Sequence, residues 1–334
     1  MRKNITNTKG TTLKKTVCMA AMMTAILSLT ACGGKETPED KLKNELSSAL
    51  EDMNNAANDS NNSSDAQQEE KVYYTFENGV LTVNAESYLQ QINAVLKKDG
   101  ISNDDVVELI IAGNVTTAQN GSIFPNLKKV TIGESVTTIY QDAFKNLDKL
   151  ETVIMADNVT SIGKCAFWSC DVLTTVKLSA NLASIDEHAF HDCTSLTTID
   201  IPASTSHIRN NAFESCKSLT NITLHEGLES IGNAVFAGVP ASEIIIPSTV
   251  KYIGEYAISS CPNITSVVFP NGVERLSKGV VAGCPSLKSI TIPDSVTFIY
   301  ENPVGENDSL TVYGKAGSLA EKFASDYGFT FVAQ

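Results

Sequence analysis

The sequence has little positive charge, little histidine and a single tryptophan. Its 334 residues include 25 lysines and arginines against 38 acidic residues, so the formal net charge is −13. A protein that binds nucleic acid neutralises phosphates with basic side chains, and this charge therefore excludes nucleic acid as a partner. Four histidines leave little material for a histidine-based metal site, so we expect no bound metal.

The short motifs that accompany common enzyme chemistry are also missing. The sequence has no HExxH pair, no phosphate-binding loop, no GxSxG turn and no pair of carboxylates in a usable context. We therefore expect no catalytic residues and no cofactor, and we predict that the protein is not an enzyme.

Residues 1–31 have the pattern of a secretion signal. Residues 1–16 carry five positive charges and no acid, and residues 17–29 form an apolar run that is short for a bilayer span. The run ends in Leu29-Thr30-Ala31-Cys32, which resembles a bacterial lipobox. The resemblance implies cleavage before Cys32 and attachment of lipid to its thiol. The alternatives are a plain signal peptide with an incidental cysteine and a transmembrane helix.

Residues 32–71 are predicted to form an acidic, disordered tether. They contain ten acidic residues, four lysines and almost no material for a core. One segment, residues 38–55, has a helical pattern that begins at Thr37-Pro38. It is interpreted either as a transient helix in a spacer or as a short helix that binds a partner or pairs with a second copy of itself.

A repeat of about 23 residues occupies residues 104–310. Each unit contains an alternating strand pattern, a second extended piece and an Ala-Phe pair such as Ala143-Phe144. A unit of this length cannot cover its own apolar face, so neighbouring units must stack. One 22-residue interval falls between Ser242 and Ile264. The marker positions are Leu127, Leu150, Leu173, Leu196, Leu219, Ser242, Ile264, Leu287 and Leu310.

These units resemble the BspA-like (Treponema-type) leucine-rich repeats. Residues 287–299, LKSITIPDSVTFI, fit the family pattern, as do Ser161-Ile162-Gly163 and Ser230-Ile231-Gly232. The resemblance implies a repeat solenoid, a leucine-rich-repeat arc that is mostly β with short turns and helices and has a sheet along one face. It also implies a bacterial cell-surface protein that adheres to proteins or glycans, with no catalytic residues shared across the family.

Both ends of the solenoid are predicted to be capped. Residues 72–103 contain a hairpin signal at Asn78-Gly79 and a helix that begins with a capping box at Ser87 and Gln90. Residues 311–334 are predicted to complete a strand, a helix and a closing strand. Open ends would leave a slab of core exposed to water.

Two groups of side chains could suggest chemistry. The cysteines that follow the Phe position by three residues are predicted to be reduced and buried, with one disulfide or a metal site as alternatives. Cys165 lies outside this series and is the candidate for a reactive thiol. His188 and His191 lie near Asp192, but they occupy positions that hold surface residues in other units, so we expect a solvated pair. The cysteines of the series are Cys170, Cys193, Cys216, Cys261 and Cys284.

The outward face of the sheet is the candidate ligand-binding surface. It is interpreted either as a ladder of residues chosen for cross-strand packing or as an extended binding platform. The predicted function is that of a lipid-anchored, extracytoplasmic binding or adhesion protein, monomeric, with a protein or glycan ligand and membrane contact only through its lipid. The alternative is a scaffolding lipoprotein of the cell envelope. The candidate binding residues are Ile154, Lys177, Asp200, Thr223, Ile245, Val268 and Thr291.

The lipobox interpretation predicts that Cys32→Ser releases the protein from the membrane. Without an acylated thiol, the chain has no buried lipid to hold it in the bilayer. Cell fractionation and immunoblotting should therefore find the variant in the medium. Cys18→Ser, which changes a cysteine inside the apolar run, should leave the protein in the membrane fraction. A Cys32→Ser protein that stays membrane-bound would contradict the lipobox.

Overall fold

The computed structural model describes residues 73–85, 91–115, 117–307 and 309–334. The predicted signal peptide, Cys32 and the tether lie outside the described residues, as do Ser87 and Gln90 of the predicted capping box. Within the described ranges, neither of the two α-helices is long and apolar enough to cross a membrane.

The described residues form many short strands and few helices. The helices are α1 (Ile92–Lys98) and α2 (Leu319–Tyr327), with 3-10 turns at Asn103–Asp105 and Gly121–Ile123. The strands are β1 (Tyr74–Glu77), β2 (Val80–Ala85), β3 (Glu108–Asn114), β4 (Thr117–Ala118), β5 (Lys129–Ile132), β6 (Thr138–Ile139), β7 (Thr152–Met155), β8 (Ser161–Ile162), β9 (Thr175–Lys177), β10 (Ser184–Ile185), β11 (Thr198–Ile201), β12 (His207–Ile208), β13 (Asn221–Leu224), β14 (Ser230–Ile231), β15 (Tyr252–Ile253), β16 (Ser266–Val268), β17 (Arg275–Leu276), β18 (Ser289–Thr291), β19 (Phe298–Ile299), β20 (Thr311–Gly314) and β21 (Thr330–Ala333).

The strands of the repeats stack in parallel as a β-solenoid of leucine-rich repeats, as predicted. Most turns contribute one strand to a main sheet and one two-residue strand to a second ladder. The register follows the repeat, so Val153 of β7 pairs with Val130 of β5 and Val176 of β9. Because alternate side chains point to opposite faces, the inward residues form a continuous core and the outward residues form columns along the solenoid.

A third ladder joins the Ala-Phe segments and carries the aromatic core. The amide of Phe144 donates to the carbonyl of Ala166 at 2.8 Å, and Phe167 makes the same bond to Ala189. The Phe rings lie in one internal column with centroids 5.1–5.9 Å apart and planes within 12° of parallel. This confirms the predicted stacking of units. The fully buried members of the column are Phe144, Phe167, Phe190, Phe213 and Phe236.

The five cysteines of the repeat series form a matching ladder of buried, free thiols. Each thiol donates to a main-chain carbonyl of the preceding turn: Cys193 reaches the carbonyl of Phe167 at 3.2 Å and Cys216 that of Phe190 at 3.2 Å. Burial raises the pKa of Cys170 and of Cys216 to about 12 and holds the pKa of Cys193 well above its usual range. The buried thiols therefore pack as small apolar groups, and each also donates a hydrogen bond to a main-chain carbonyl of the preceding turn.

The main sheet is interrupted twice, between β9 and β11 and between β13 and β16. The second interruption coincides with the short repeat, whose position the sequence prediction misplaced. Ala241 is fully buried at the marker position and Ser242 is exposed. The missing residue therefore precedes Ala241, where Val239 and Pro240 shorten the turn, and residues 242–246 form no strand.

Both described ends carry additional elements. β1 and β2 form an antiparallel hairpin whose turn residues, Asn78 and Gly79, have the positive φ angles that a type I′ turn requires. Helix α1 buries Ile92 and Leu96. At the other end, α2 begins at its N-cap Ser318 and connects β20 to its parallel partner β21.

The aromatic column predicts a large loss of stability on Phe190→Ala. The substitution removes a fully buried ring that stacks on Phe167 and Phe213, and such cavities cost about 3–5 kcal/mol. Chemical denaturation should show this loss. Tyr140→Ala, at a side chain that is 55% exposed, should change the unfolding free energy by no more than about 0.5 kcal/mol. Equal effects of the two substitutions would contradict the column.

The thiol ladder predicts a loss of stability as the pH rises from 9 towards 12. In that interval an unfolded chain gives up thiol protons that the folded chain retains, so rising pH favours unfolding. Removing one such thiol by Cys216→Ala should reduce the slope of unfolding free energy against pH by about 1.4 kcal/mol per pH unit. Denaturation curves of variant and parent should differ in slope above pH 9 and run parallel at pH 7–8. Parallel curves throughout would contradict the raised pKa.

Candidate binding surface

The predicted sheet face is largely covered in its N-terminal half. Ile154 is only 8% exposed, so its assignment to an accessible face is wrong. Its side chain lies between its register neighbours Thr131 and Lys177, both half-buried, which stand one strand spacing away on either side. Nearby, Lys129 forms a 2.8 Å ion pair with Glu108 across the same face. This part of the face offers little free surface.

The middle of the face is exposed and polar. Asp200 and Thr223 pair in register and are both exposed. The Asp200 carboxylate lies 2.8 Å from Nε2 of His225, so its charge is already engaged by a neighbour on the next turn. These polar side chains are exposed to water, so burying them under a ligand would gain little free energy.

The C-terminal half of the face carries two exposed apolar side chains. Ile245 is 69% exposed and Val268 is 59% exposed, and we call these two side chains the apolar patch. Val268 pairs in register with Thr291 of β18, which in turn pairs with Tyr313 of β20, and both of these residues are half-buried. Ile245 lies in the irregular segment 242–246 and not on a strand, which corrects its predicted place on the sheet.

The structure adds a group of exposed aromatic side chains that the sequence analysis missed. In the second ladder the outward position holds threonine or serine in β4, β6, β8, β10 and β14 and His207 in β12, but Tyr252 in β15, Arg275 in β17 and Phe298 in β19. Tyr252 is 53% and Phe298 48% exposed, and Phe298 meets the ring of Tyr300 edge-on with centroids 4.8 Å apart. We call these four side chains the aromatic edge. Comparing this column from unit to unit would have identified them.

The predicted solvated histidine pair is instead packed against tryptophan. The ring of Trp168, on the preceding turn, stacks on His188 with centroids 5.8 Å apart and meets His191 edge-on at 5.6 Å. The His191 side chain is only 17% exposed, so the prediction of a solvated pair is wrong. Among the described residues, the candidate metal ligands of His188, His191 and Glu214 all lie within 4.8 Å of one another.

Cys165, the candidate for a reactive thiol, is 5% exposed. Burial and the nearby carboxylate of Asp142 raise its pKa, which disfavours the nucleophilic thiolate. The structure therefore argues against the predicted reactivity.

Several crystal structures of bacterial leucine-rich-repeat proteins are similar to this chain. A leucine-rich cell-surface protein from Faecalibacterium prausnitzii is 21% identical, with 75% of this chain and 89% of that chain covered and a TM-score of 0.42. A leucine-rich-repeat protein from Bacteroides ovatus is 21% identical, with 80% and 77% covered and a TM-score of 0.49. The leucine-rich-repeat protein of T. pallidum is 20% identical, with 78% and 94% covered and a TM-score of 0.37.

No curated protein matches this sequence. The family model of the BspA-type leucine-rich-repeat region matches in six copies, over residues 122–209 and 184–311, which together cover more than half of the 334 residues. The chain therefore belongs to the BspA-type leucine-rich-repeat family.

Proposed function

We propose that this protein is held by a lipid on Cys32 at the outer face of a bacterial membrane and binds a protein or glycan there. The observation that carries the proposal is a change in the outward-facing columns. Serine and threonine dominate these columns in the N-terminal turns, whereas the C-terminal turns expose the apolar patch and the aromatic edge.

The exposed groups have the composition of a contact surface. Exposed apolar side chains gain free energy when a partner covers them, whereas serine and threonine columns gain little. Aromatic and arginine side chains are also enriched where proteins meet partners, and Arg275 pairs in register with Phe298 on the aromatic edge. These features favour binding in the C-terminal turns over binding along the whole sheet face.

Charge and anchoring are consistent with this role. Loss of residues 1–31 would remove five positive charges and no acid and take the formal net charge from −13 to −18. Anionic headgroups repel such a domain, so we expect the lipid, and not the protein surface, to hold it at the membrane. A disordered tether of this length would span about 35 Å and let the repeats reach a ligand.

The proposed role is not enzymatic. BspA-type repeats typically form binding scaffolds without catalysis, and the exposed columns described above present apolar, aromatic and hydroxyl groups. The proposal assigns affinity to many small contacts on the main sheet and along the second ladder.

The test is a binding screen followed by charge substitution of the apolar patch. The protein is immobilised and exposed to host extracts, glycan arrays and extracts of the bacterial envelope. For a specific ligand, the double variant Ile245→Lys with Val268→Glu should weaken binding about tenfold or more, because it places charge in a contact that buries apolar side chains. Surface plasmon resonance measures the dissociation constant.

The control variant places the same charges elsewhere on the same face. Thr175→Lys with Thr198→Glu alters two exposed outward positions of earlier turns and should leave affinity unchanged. Equal weakening by both variants would contradict the assigned surface. Hits restricted to the bacterium's own envelope would favour the scaffolding role.

A further inference from the structure

We propose that His188, His191 and Glu214 bind a Zn²⁺ ion that joins two successive turns of the solenoid. The two histidines belong to one turn, and Glu214 follows His191 by one repeat of 23 residues. The three side chains therefore meet because the turns stack, and an ion held by them would connect neighbouring turns by a contact that neither turn makes alone. The proposal reverses the expectation of no metal drawn from the sequence.

The donor atoms have distances that suit a tetrahedral ion. All three ligand atoms lie within 4.8 Å of one another, and Nε2 of His191 is 3.2 Å from Oε2 of Glu214. Two donors bound to one Zn²⁺ at its usual bond lengths are about 3.3 Å apart. The His191–Glu214 pair therefore already has the separation of two zinc ligands, and the donor atom of His188, within 4.8 Å of both, would move closer to complete three.

The histidines also have ring nitrogens that lack hydrogen-bond partners. Nδ1 of His188 and Nδ1 of His191 are both buried, and neither makes a hydrogen bond. Nδ1 of His191 lies 3.0 Å from Oδ2 of Asp192, but the angles are unsuitable for a hydrogen bond, so we treat this contact as electrostatic. A buried, unpaired ring nitrogen costs free energy, and coordination through Nδ1 of His188 would recover it, whereas Nδ1 of His191 would stay beside Asp192 while Nε2 binds the ion.

The surroundings also hold the ligands in place. The side-chain amide of Asn211 donates to Oε2 of Glu214 and orients the carboxylate, as groups beside a metal ligand commonly do. Trp168 covers both imidazole rings and limits their rotation.

The donor set indicates the class of ion. Two imidazoles and one carboxylate suit Zn²⁺, Ni²⁺ and Cu²⁺, whereas Mg²⁺ and Ca²⁺ prefer oxygen ligands alone. Three protein ligands leave a fourth tetrahedral position for water. The competing explanation is that His191 simply contacts the carboxylates of Glu214 and Asp192 without a metal, and the experiment separates the two.

Trp168 is the only tryptophan of the chain and reports on this cluster alone. The full chain is purified in detergent without a polyhistidine tag and titrated with Ni²⁺, whose partly filled d shell should quench the nearby indole. We expect saturable quenching with one ion per chain. Zn²⁺, a d¹⁰ ion, should reverse the quenching by competition, and Mg²⁺ should not. Zn²⁺ should also raise the melting temperature, because it binds only the folded arrangement.

Variants assign the ligands. His188→Gln, His191→Gln and Glu214→Gln should each abolish the saturable quenching and the rise in melting temperature. His225→Gln removes another histidine beside an acid, and Glu187→Gln removes a carboxylate next to His188 that is paired with Lys164. Both control variants should bind as the parent does.

Three outcomes would overturn the proposal. The first is a parent protein whose Trp168 fluorescence and melting temperature do not respond to Ni²⁺ or Zn²⁺. The second is an equal loss of metal-induced quenching in Glu187→Gln and Glu214→Gln, which would indicate general attraction of the cation by negative charge. The third is a loss of this quenching in Cys165→Ser while the histidine variants retain it. That result would assign the ion to a thiol on the preceding turn.

Discussion

Contact between successive turns is the constraint on which this structure depends. One unit of about 23 residues has too few residues to enclose its own apolar side chains, so each turn takes its cover from the next. Three ladders of main-chain hydrogen bonds fix the register, and the Phe column and the thiols fill the space between them. Most side chains of the repeats therefore have a counterpart one repeat away, and the surface consists of columns whose chemistry can change from turn to turn.

These columns explain how one scaffold can carry different surfaces. In the N-terminal turns, ion pairs and covered side chains such as Ile154 complete the outward face within the protein. In the C-terminal turns, Ile245, Val268, Tyr252 and Phe298 have no such cover. On the edge that carries the Ala-Phe segments, the column of Lys145, Trp168, His191 and Glu214 brings a cation, an indole, an imidazole and a carboxylate into sequence. Packing of the core does not depend on which side chains occupy these outward columns, so the columns are available for function.

The sequence was sufficient for the repeat and for most of its core because buried positions recur with a fixed period. Phe190 and Cys193 could be placed by counting alone, and the Asn78-Gly79 turn by its local chemistry. Counting failed where a unit changes length, since the exposed Ser242 and the buried Ala241 are adjacent and neither is a large apolar residue. It also failed for Ile154 and His191, because their burial depends on the size of side chains one turn away, which a marker pattern does not record.

The short repeat has a mechanical consequence. Ladder hydrogen bonds run along the stacking direction, so a force that pulls the two ends of the solenoid apart opens them one turn at a time. Residues 242–246 form no strand with the turns on either side. In the described part of the chain, the second ladder (β14 with β15) and the Ala-Phe ladder join this turn to the preceding one, whereas β15 and β17 are not paired, so of the three ladders only the Ala-Phe ladder joins it to the following one. Under tension this junction should yield before its neighbours, and the turns beyond it should separate as one block.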